Sequence, residues 1–469
     1  MDKIVFAYHG RYFVREAYTL EMLSAVAMAA GFETGLAYDQ DVFGPTDNIV
    51  QNSTLNKIFS SDDNTAQKIA RLSPKYAVFL ADSGNIKWIE KTVSCLKKIN
   101  PLVKTVLVSA KENSTHDIFC DHILLGEPEK VFEIFLSSCN GPKSHIIESA
   151  DLADLKTQFL PDKGLFKGYI NVSDSYMVYT SKGCYGECAY CEEAISAGGL
   201  RRRSPGSVIS ELLYAKQQYS MKEVIFKDAV FAYDEKWLTE FLQVYAERIA
   251  VPFKCFAEPG TFSAGIAGML KTSGCYCVEF GIQTLNNDIR KNVLNRRDTL
   301  THVKVALAAC DNVGLDYDID HMFGLPFETV SDHIEALRFY ASLAKLNRIK
   351  CHNLVYYPNS DITTKALNAG ILKAADIDRL DRGFHSKQTL KTMRFENDCF
   401  SKLFKILPLL NRNMIEMTIG NGYWKLAHFM PNMLVMLLQL IIGMRSKDKR
   451  FALYMKHYPK KIAGILEAA

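Results

Sequence analysis

Residues 180–191 read TSKGCYGECAYC, which places Cys184, Cys188 and Cys191 within eight residues of one another. The residues just before them, 177–180, form a short apolar run of strand character, so the three cysteines leave a strand end together on one loop. Thiolates are the usual ligands of iron–sulfur clusters. Three of them on one loop can wrap a corner of a four-iron cubane and leave one iron open, as a catalytic zinc keeps one coordination position open for substrate. Gly183 and Gly186 relax the backbone around the turn. Two plainer readings compete, a structural zinc site and three buried free thiols. A zinc site wants a fourth ligand, usually from a second Cys/His pair, and no pair at such spacing follows.

Downstream of the loop, short apolar runs alternate with helical patterns. Strands are predicted at 177–180, 223–226, 253–257, 277–280, 316–322 and 350–356, with helices such as 207–218, 236–249 and 332–346 between them. Six βα units predict an open, partial (β/α)6 barrel over residues 171–384. Upstream the same alternation begins with a strand at 4–8 and a helix at 15–30 stopped by Gly31. It continues with strands at 76–80, 105–108 and 123–125 and helices at 86–99 and from Pro128 to Leu136, which predicts a doubly wound α/β domain over residues 1–140. Asn140-Gly141-Pro142 and Pro161-Asp162 are turn signals, so 141–170 reads as a linker. From 385 to 469 the pattern is mainly helical.

At 469 residues, 48% hydrophobic and 23% charged, the chain has globular composition and is long enough for two or three cores. A net charge of +4 leaves no electrostatic footprint for nucleic acid, which is not expected as a partner. The opening MDKIVFAYHGRYF is interrupted by His9 and Arg11 and lacks the long apolar core of a signal peptide, so a cytoplasmic location is expected. Twelve cysteines in such a chain point to metal or reactive thiols rather than disulfides. Cys255, Cys275, Cys277 and Cys310 fit no compact binding loop and read as small buried hydrophobes. His321 and His352 fall at predicted strand ends, where catalytic and structural histidines are both common. Arg296 and Arg297 could pair with an acidic substrate, but read first as a solvated helix end.

The Cys-x3-Cys-x2-Cys spacing, with aromatic Tyr190 just before its last cysteine, resembles the signature of radical S-adenosylmethionine (SAM) enzymes. The resemblance implies a 4Fe-4S cluster on Cys184, Cys188 and Cys191, whose open iron takes the amino and carboxylate groups of SAM. It further implies reductive cleavage to a 5′-deoxyadenosyl radical, fed by a flavodoxin- or ferredoxin-type electron donor. Further segments match in order. Arg201-Arg202-Arg203-Ser204-Pro205 resembles the family's exit from the cluster loop, and Phe226-Lys227-Asp228-Ala229 its second strand, where Asp228 would meet the methionyl ammonium. Ala229 stands where a second acid is more common. Glu279-Phe280-Gly281-Ile282-Gln283 resembles the fourth-strand segment near the SAM ribose and carboxylate, implying contacts from Glu279 and Gln283. The run from Met322 to Thr329 resembles the adenine-lining fifth strand, implying Met322 and Gly324, and Tyr357-Pro358 matches the sixth-strand end.

A doubly wound domain ahead of such a barrel, ending in Leu125-Gly126-Glu127-Pro128-Glu129, resembles the cobalamin-binding class of these enzymes. That class implies cobalamin as a third cofactor and a transferase that methylates or rearranges an unactivated carbon of a small-molecule or lipid-like substrate. The class's Asp-x-His-x-x-Gly motif is absent: His9 follows the first strand, but Ala7 and Tyr12 stand where Asp and Gly would be, so no histidine ligand to cobalt is expected. Cobalamin-independent radical chemistry, methylthiotransfer and a non-catalytic binding module on the same fold stay open. Methylthiotransfer would want N-terminal cysteines in ligand spacing, and Cys95, Cys120 and Cys139 are scattered. Finally, 424–444 is apolar but interrupted by Pro431, Asn432 and Gln439, too short to span a bilayer. A basic run from Arg445 to Lys461 follows, so peripheral contact with anionic lipid and a helix buried against the barrel are both open.

Overall fold

The computed structural model describes residues 1–11, 17–41, 62–81, 85–110, 120–138, 146–155, 159–191, 193, 199–357, 360–373, 376 and 393–445. Two compact units divide the chain, Met1–Asn171 and Val172–Ala374 with Lys387–Met455.

The first unit holds β1 (Lys3–Arg11), α1 (Tyr18–Ala29), β2 (Glu33–Asp41), α2 (Asp62–Arg71), β3 (Tyr76–Leu80), α3 (Ile86–Ile99), β4 (Lys104–Ser109), β5 (His122–Gly126), α4 (Pro128–Ser137) and β6 (Ile146–Ser149). Its six strands among the described residues are all parallel, in the order β2-β1-β3-β4-β5-β6. The central strands carry continuous apolar runs, such as Ile4 to Ala7 and Val106 to Val108, because helices cover both faces. Ile4, Phe6 and Val78 pack with Leu20, Leu23 and Phe132 on one side, while Val5, Ala7 and Phe79 pack with Ile89 and Leu96 on the other. Strand order reverses between β1 and β3, and in open α/β sheets ligands bind at such a switch point beyond the strand C-termini.

Residues 141–170, expected to be a linker, instead belong to this unit wherever they are described. β6 extends the sheet beside β5. Lys163 forms a fully buried ion pair with Glu21 of α1 at 2.8 Å, and Ser24 donates to Asp162 at 2.6 Å. The turn signals at Pro161-Asp162 are real, but they start a 3-10 turn docked on α1. The sequence also passes over β2: Glu33, Thr34 and Gly35 make it a half-polar edge strand without an apolar run.

The second unit contains β7 (Tyr176–Val178), β8 (Ser181–Lys182), β9 (Arg201–Arg202), α5 (Pro205–Tyr219), β10 (Val224–Phe226), α6 (Glu235–Val244), β11 (Phe253–Ala257), α7 (Ala264–Thr272), β12 (Cys275–Gln283), α8 (Leu300–Val313), β13 (Asp316–Phe323), α9 (Val330–Ala341), β14 (Leu346–Asn353), α10 (Asp361–Asn368), α11 (Arg394–Ile406), α12 (Arg412–Gly420) and α13 (Asn432–Arg445). Among the described residues, six parallel strands follow in chain order, β7-β10-β11-β12-β13-β14, with no pairing between the outermost two. The expected partial (β/α)6 barrel is therefore present. The predicted helix 332–346 overruns, because Leu343 and Leu346 keep helical spacing while the helix stops at Ala341 and β14 begins at Leu346.

Alternation along the barrel strands sorts two environments. Cys255, Val278, Phe280, Tyr317 and Ile319 face the apolar core with the helices. Their neighbours Lys254, Glu279 and Asp318 point the other way and pair: Lys254 with both Asp318 and Glu279, Lys350 with Glu279, and Arg348 with Asp318 at 3.0 Å. Removing one member of such a buried set leaves an uncompensated charge, at a cost of about 3–5 kcal/mol.

Candidate active site at the barrel strand ends

The cysteine loop is closed at its base by a two-residue antiparallel pairing, Ser181 with Arg202 and Lys182 with Arg201. Beyond it, Arg203 donates to Glu211 at 2.6 Å, and Ser204 caps α5 with Pro205 in its first turn, which is why the Arg-Arg-Arg-Ser-Pro run ends the loop. Gly186 lies between two of the thiols: a Cβ there would meet Cys184 Sγ at 3.5 Å and Cys188 Sγ at 3.7 Å. Its N–H donates to Cys184 Sγ at 3.3 Å. Burial pushes the Cys188 thiol up to about 11; Arg296 opposes the rise, and Cys191 and Cys184 add to it. A Cys188 thiol that resists ionisation is well suited to a cationic iron core, which removes the penalty by coordination.

The segment after β12 holds this loop in place. Ala189 N–H donates to Leu294 O at 2.9 Å, Asn295 Nδ2 to Glu187 O at 2.9 Å, and Arg296 to the Tyr190 hydroxyl at 3.1 Å. Arg296 also donates to Asp298 at 2.7 Å. Arg296 is thus a buried brace rather than the solvated helix end expected from sequence, whereas Arg297 is exposed and pairs with Glu187 at 3.3 Å. Tyr190, expected at the cofactor, spends its hydroxyl on this brace.

The other expected residues gather at the C-terminal ends of neighbouring strands, where barrel active sites are built. Asp228, just past β10, is buried and its Oδ1 accepts from Thr180 N at 2.8 Å, Thr180 Oγ1 at 2.9 Å and Ser181 Oγ at 2.6 Å. Its Oδ2 is buried with no partner, and burial raises its pKa. That orphan acceptor suits an ammonium. Gln283 ends β12 at φ +69°, a conformation costly for a side-chain-bearing residue, and its buried Oε1 likewise lacks a partner. Met322 is buried near the end of β13, and Gly324, at φ +77°, gives its N–H to Glu328 at 3.2 Å. Glu279 departs from expectation: its carboxylate is engaged by Lys254 and Lys350 in the buried ion network, so it cannot be assigned to SAM by its charge. Pro358 of the sixth-strand match lies outside the described residues.

The sequence pattern of the Radical SAM superfamily matches residues 178–340, from the end of β7 to α9. The chain carries a radical SAM domain. The match to that superfamily implies a 4Fe-4S cluster and SAM. The chain is 25% identical over 201 residues to an uncharacterized methyltransferase of Pyrococcus horikoshii, an alignment covering 42% of this chain and 43% of that protein. It is 29% identical over 139 residues to cytidylyl-2-hydroxyethylphosphonate methyltransferase of Streptomyces wedmorensis, covering 28% of this chain and 25% of that one. The matches thus span less than half the length of these curated relatives. In fold, the chain resembles the radical SAM methyltransferase TsrM of Kitasatospora setae, with TM-score 0.61, 12% identity and coverage of 80% and 77% of the two chains. It also resembles the cobalamin-dependent radical SAM enzyme OxsB, with TM-score 0.63, 10% identity and coverage of 100% and 80%.

Several features of the radical SAM domain escaped the sequence reading. Glu258, just after β11, accepts from the Tyr185 hydroxyl of the cysteine loop at 2.9 Å. Arg202 stacks 3.7 Å above the Trp237 ring and donates to Phe231 O at 2.7 Å. The Ala257-Glu258-Pro259-Gly260 turn signal after a strand could have flagged Glu258; nothing local could have flagged the Arg202 stack. Cys255, Cys275, Cys277 and Cys310 are buried in the helix-side core, as small hydrophobes would be. His352 lies 3.5 Å from Asp320 at the exposed end of β14.

The apolar tail folds as a 3-10 turn (Tyr423–Phe429) and α13 at 105° to each other. No single described helix is long and apolar enough to cross a membrane. One face of the tail packs on the barrel unit, with Trp424 and Ala427 in its core and Val435 and Ile442 buried, while Phe429, Met433 and Met444 are 76%, 70% and 67% exposed and Leu434 and Leu437 join them.

Proposed function

We propose that this chain is a cobalamin-dependent radical SAM methyltransferase that transfers a methyl group to an unactivated carbon of a small or lipid-like molecule. The observation that carries the reading is a parallel sheet in the order 2-1-3-4-5-6, with its switch point at β1 and β3, on the same chain as a radical SAM barrel. The fold likeness to TsrM and OxsB supports it. Together the three cofactors would supply an organic radical and a methyl group to place on it. Cys184, Cys188 and Cys191 would hold the cluster, the Asp228 Oδ2 would accept the methionyl ammonium, and Gln283 with the Gly324 turn would border the rest of SAM. A flavodoxin- or ferredoxin-type protein would deliver the electron.

At the switch point, His9 Nδ1 lies 3.1 Å from Asp39 Oδ2 and its ring stacks on Trp88, whose Nε1 donates to the same oxygen at 2.8 Å. This knot ties the ends of β1 and β2 to α3, a structural task that accounts for the histidine without cobalt. Full-length protein produced with cobalamin supplied should retain it through purification, and His9→Ala should lower thermal stability while leaving the cobalamin absorption spectrum unchanged. A shifted spectrum would make His9 a cobalt ligand; no retained cobalamin in the wild type would move the function to cobalamin-independent radical chemistry.

The lipid-like substrate class rests on the exposed apolar face of the tail, followed in sequence by Lys447, Lys449 and Arg450. Apolar residues beside clustered cations suit an anionic lipid surface. The protein should co-sediment with phosphatidylserine vesicles in low salt, lose that binding in high salt, and lose it on Phe429→Ser with Met433→Ser. Sedimentation that ignores both changes would remove this support.

A further inference from the structure

One cluster of buried polar groups lies against the Gly324 turn of the site above and has no role assigned there. His321 on β13, Glu328 in the turn after it and His333 on α9 are all buried, and one ligand atom from each lies within 4.8 Å of one from each of the others. Every one of the three is satisfied at one atom and orphaned at the other. His321 Nδ1 lies 3.0 Å from the Tyr340 hydroxyl, leaving Nε2 without a partner. Glu328 Oε2 accepts from the N–H groups of Gly324 and Leu325 at 3.2 and 3.4 Å, leaving Oε1. His333 Nε2 lies 3.0 Å from Asn397 Oδ1 of α11, leaving Nδ1. Each residue thus leaves one buried polar atom without a partner, and His333 Nε2 lies 3.7 Å from Glu328 Oε2; such orphans are rare in folded proteins and call for a water or an ion.

We propose that His321, Glu328 and His333 bind a divalent transition metal of the zinc type, which pins the Gly324 turn of the SAM pocket to α9 and, through Asn397, to α11. Two imidazoles and one carboxylate are a known zinc donor set. Each side chain also has the outer partner, a hydroxyl, backbone amides or a side-chain amide, that orients metal-bound ligands. Burial pushes His333 down to about 4 and His321 well below its ordinary value, which leaves their lone pairs to a metal, and pushes the Glu328 carboxyl up to about 8, a proton that the metal would displace. Phe323, Phe400 and Phe404 pack around the histidines and exclude bulk water. Metal–ligand bonds of about 2.1 Å would require the donors to draw in by roughly an ångström from their present spacing. The proposal concerns a site apart from the cluster and does not depend on cobalamin.

The test uses full-length protein with its iron–sulfur cluster assembled, stripped of adventitious metal by chelator, incubated anaerobically with zinc and desalted. Elemental analysis should find about one zinc per chain, and zinc should raise the melting temperature. Glu328→Gln, which keeps the shape of the side chain, should lower zinc retention at least tenfold and abolish the thermal shift, while iron content stays that of the wild type. His333→Asn provides a second variant with the same expectation if Glu328→Gln proves unstable. Wild-type protein that retains no zinc would mean that the three groups share a buried water instead. Zinc retained equally by both variants would place it elsewhere, and either result overturns the proposal.

Discussion

Protein in which Cys184, Cys188 and Cys191 are all replaced by alanine should lose its iron altogether. The wild type, reconstituted anaerobically, should carry about four irons per chain, and the triple variant close to none, with the brown cluster absorption gone. The reason is local. The loop is shaped by backbone contacts from Leu294 and Ile362, by the Asn295 side-chain amide on Glu187 O and by the Arg296–Tyr190 brace, none of which involves a cysteine side chain. The variant should therefore fold and still lack every sulfur ligand. A triple variant that keeps four irons would place the cluster elsewhere in the chain.

Asp228→Asn should weaken SAM binding by roughly ten- to a hundredfold, since a hydrogen bond to a charged group contributes about 1.5–3 kcal/mol and each 1.4 kcal/mol is tenfold. Asparagine keeps an oxygen for Thr180 N, Thr180 Oγ1 and Ser181 Oγ, but places an amide nitrogen where Oδ2 now lies without a partner. Folding is preserved and the ammonium contact is replaced by a clash of donors. Alanine would not separate the two effects, because it strands three buried donors at about 1–3 kcal/mol each. Equilibrium dialysis of SAM against cluster-loaded protein reads the difference, with iron content as the control. Unchanged affinity would remove Asp228 from the SAM site.

What could be read from sequence was what short spacing encodes. The cysteine loop, the Ser204-Pro205 helix start and the ordered strands of the barrel are contiguous signals, and β3 and α3 have the predicted bounds because apolar runs there stop at clear breaks. Edge strands β2 and β6 lack a full apolar run, so their pairing with β1 and β5 decides them instead. Charge roles were the least legible. Glu279 sits in a segment that resembles a SAM contact, yet its partners Lys254 and Lys350 come from strands 25 and 71 residues away, and only the barrel brings them together. Arg296 reads as a surface residue until Asp298 and the Tyr190 hydroxyl enclose it. His333 looked like any helix residue, because the contact that singles it out, with Asn397, spans 64 positions.

The central claim is that the three-cysteine loop supports reductive cleavage of SAM, and the most direct measurement is the nucleoside product. Cluster-loaded wild-type protein, given dithionite and SAM without air, should release 5′-deoxyadenosine, and the triple cysteine variant under the same conditions should release none. Wild-type protein that carries about four irons per chain, binds SAM and yet forms no 5′-deoxyadenosine with any reductant would contradict the account.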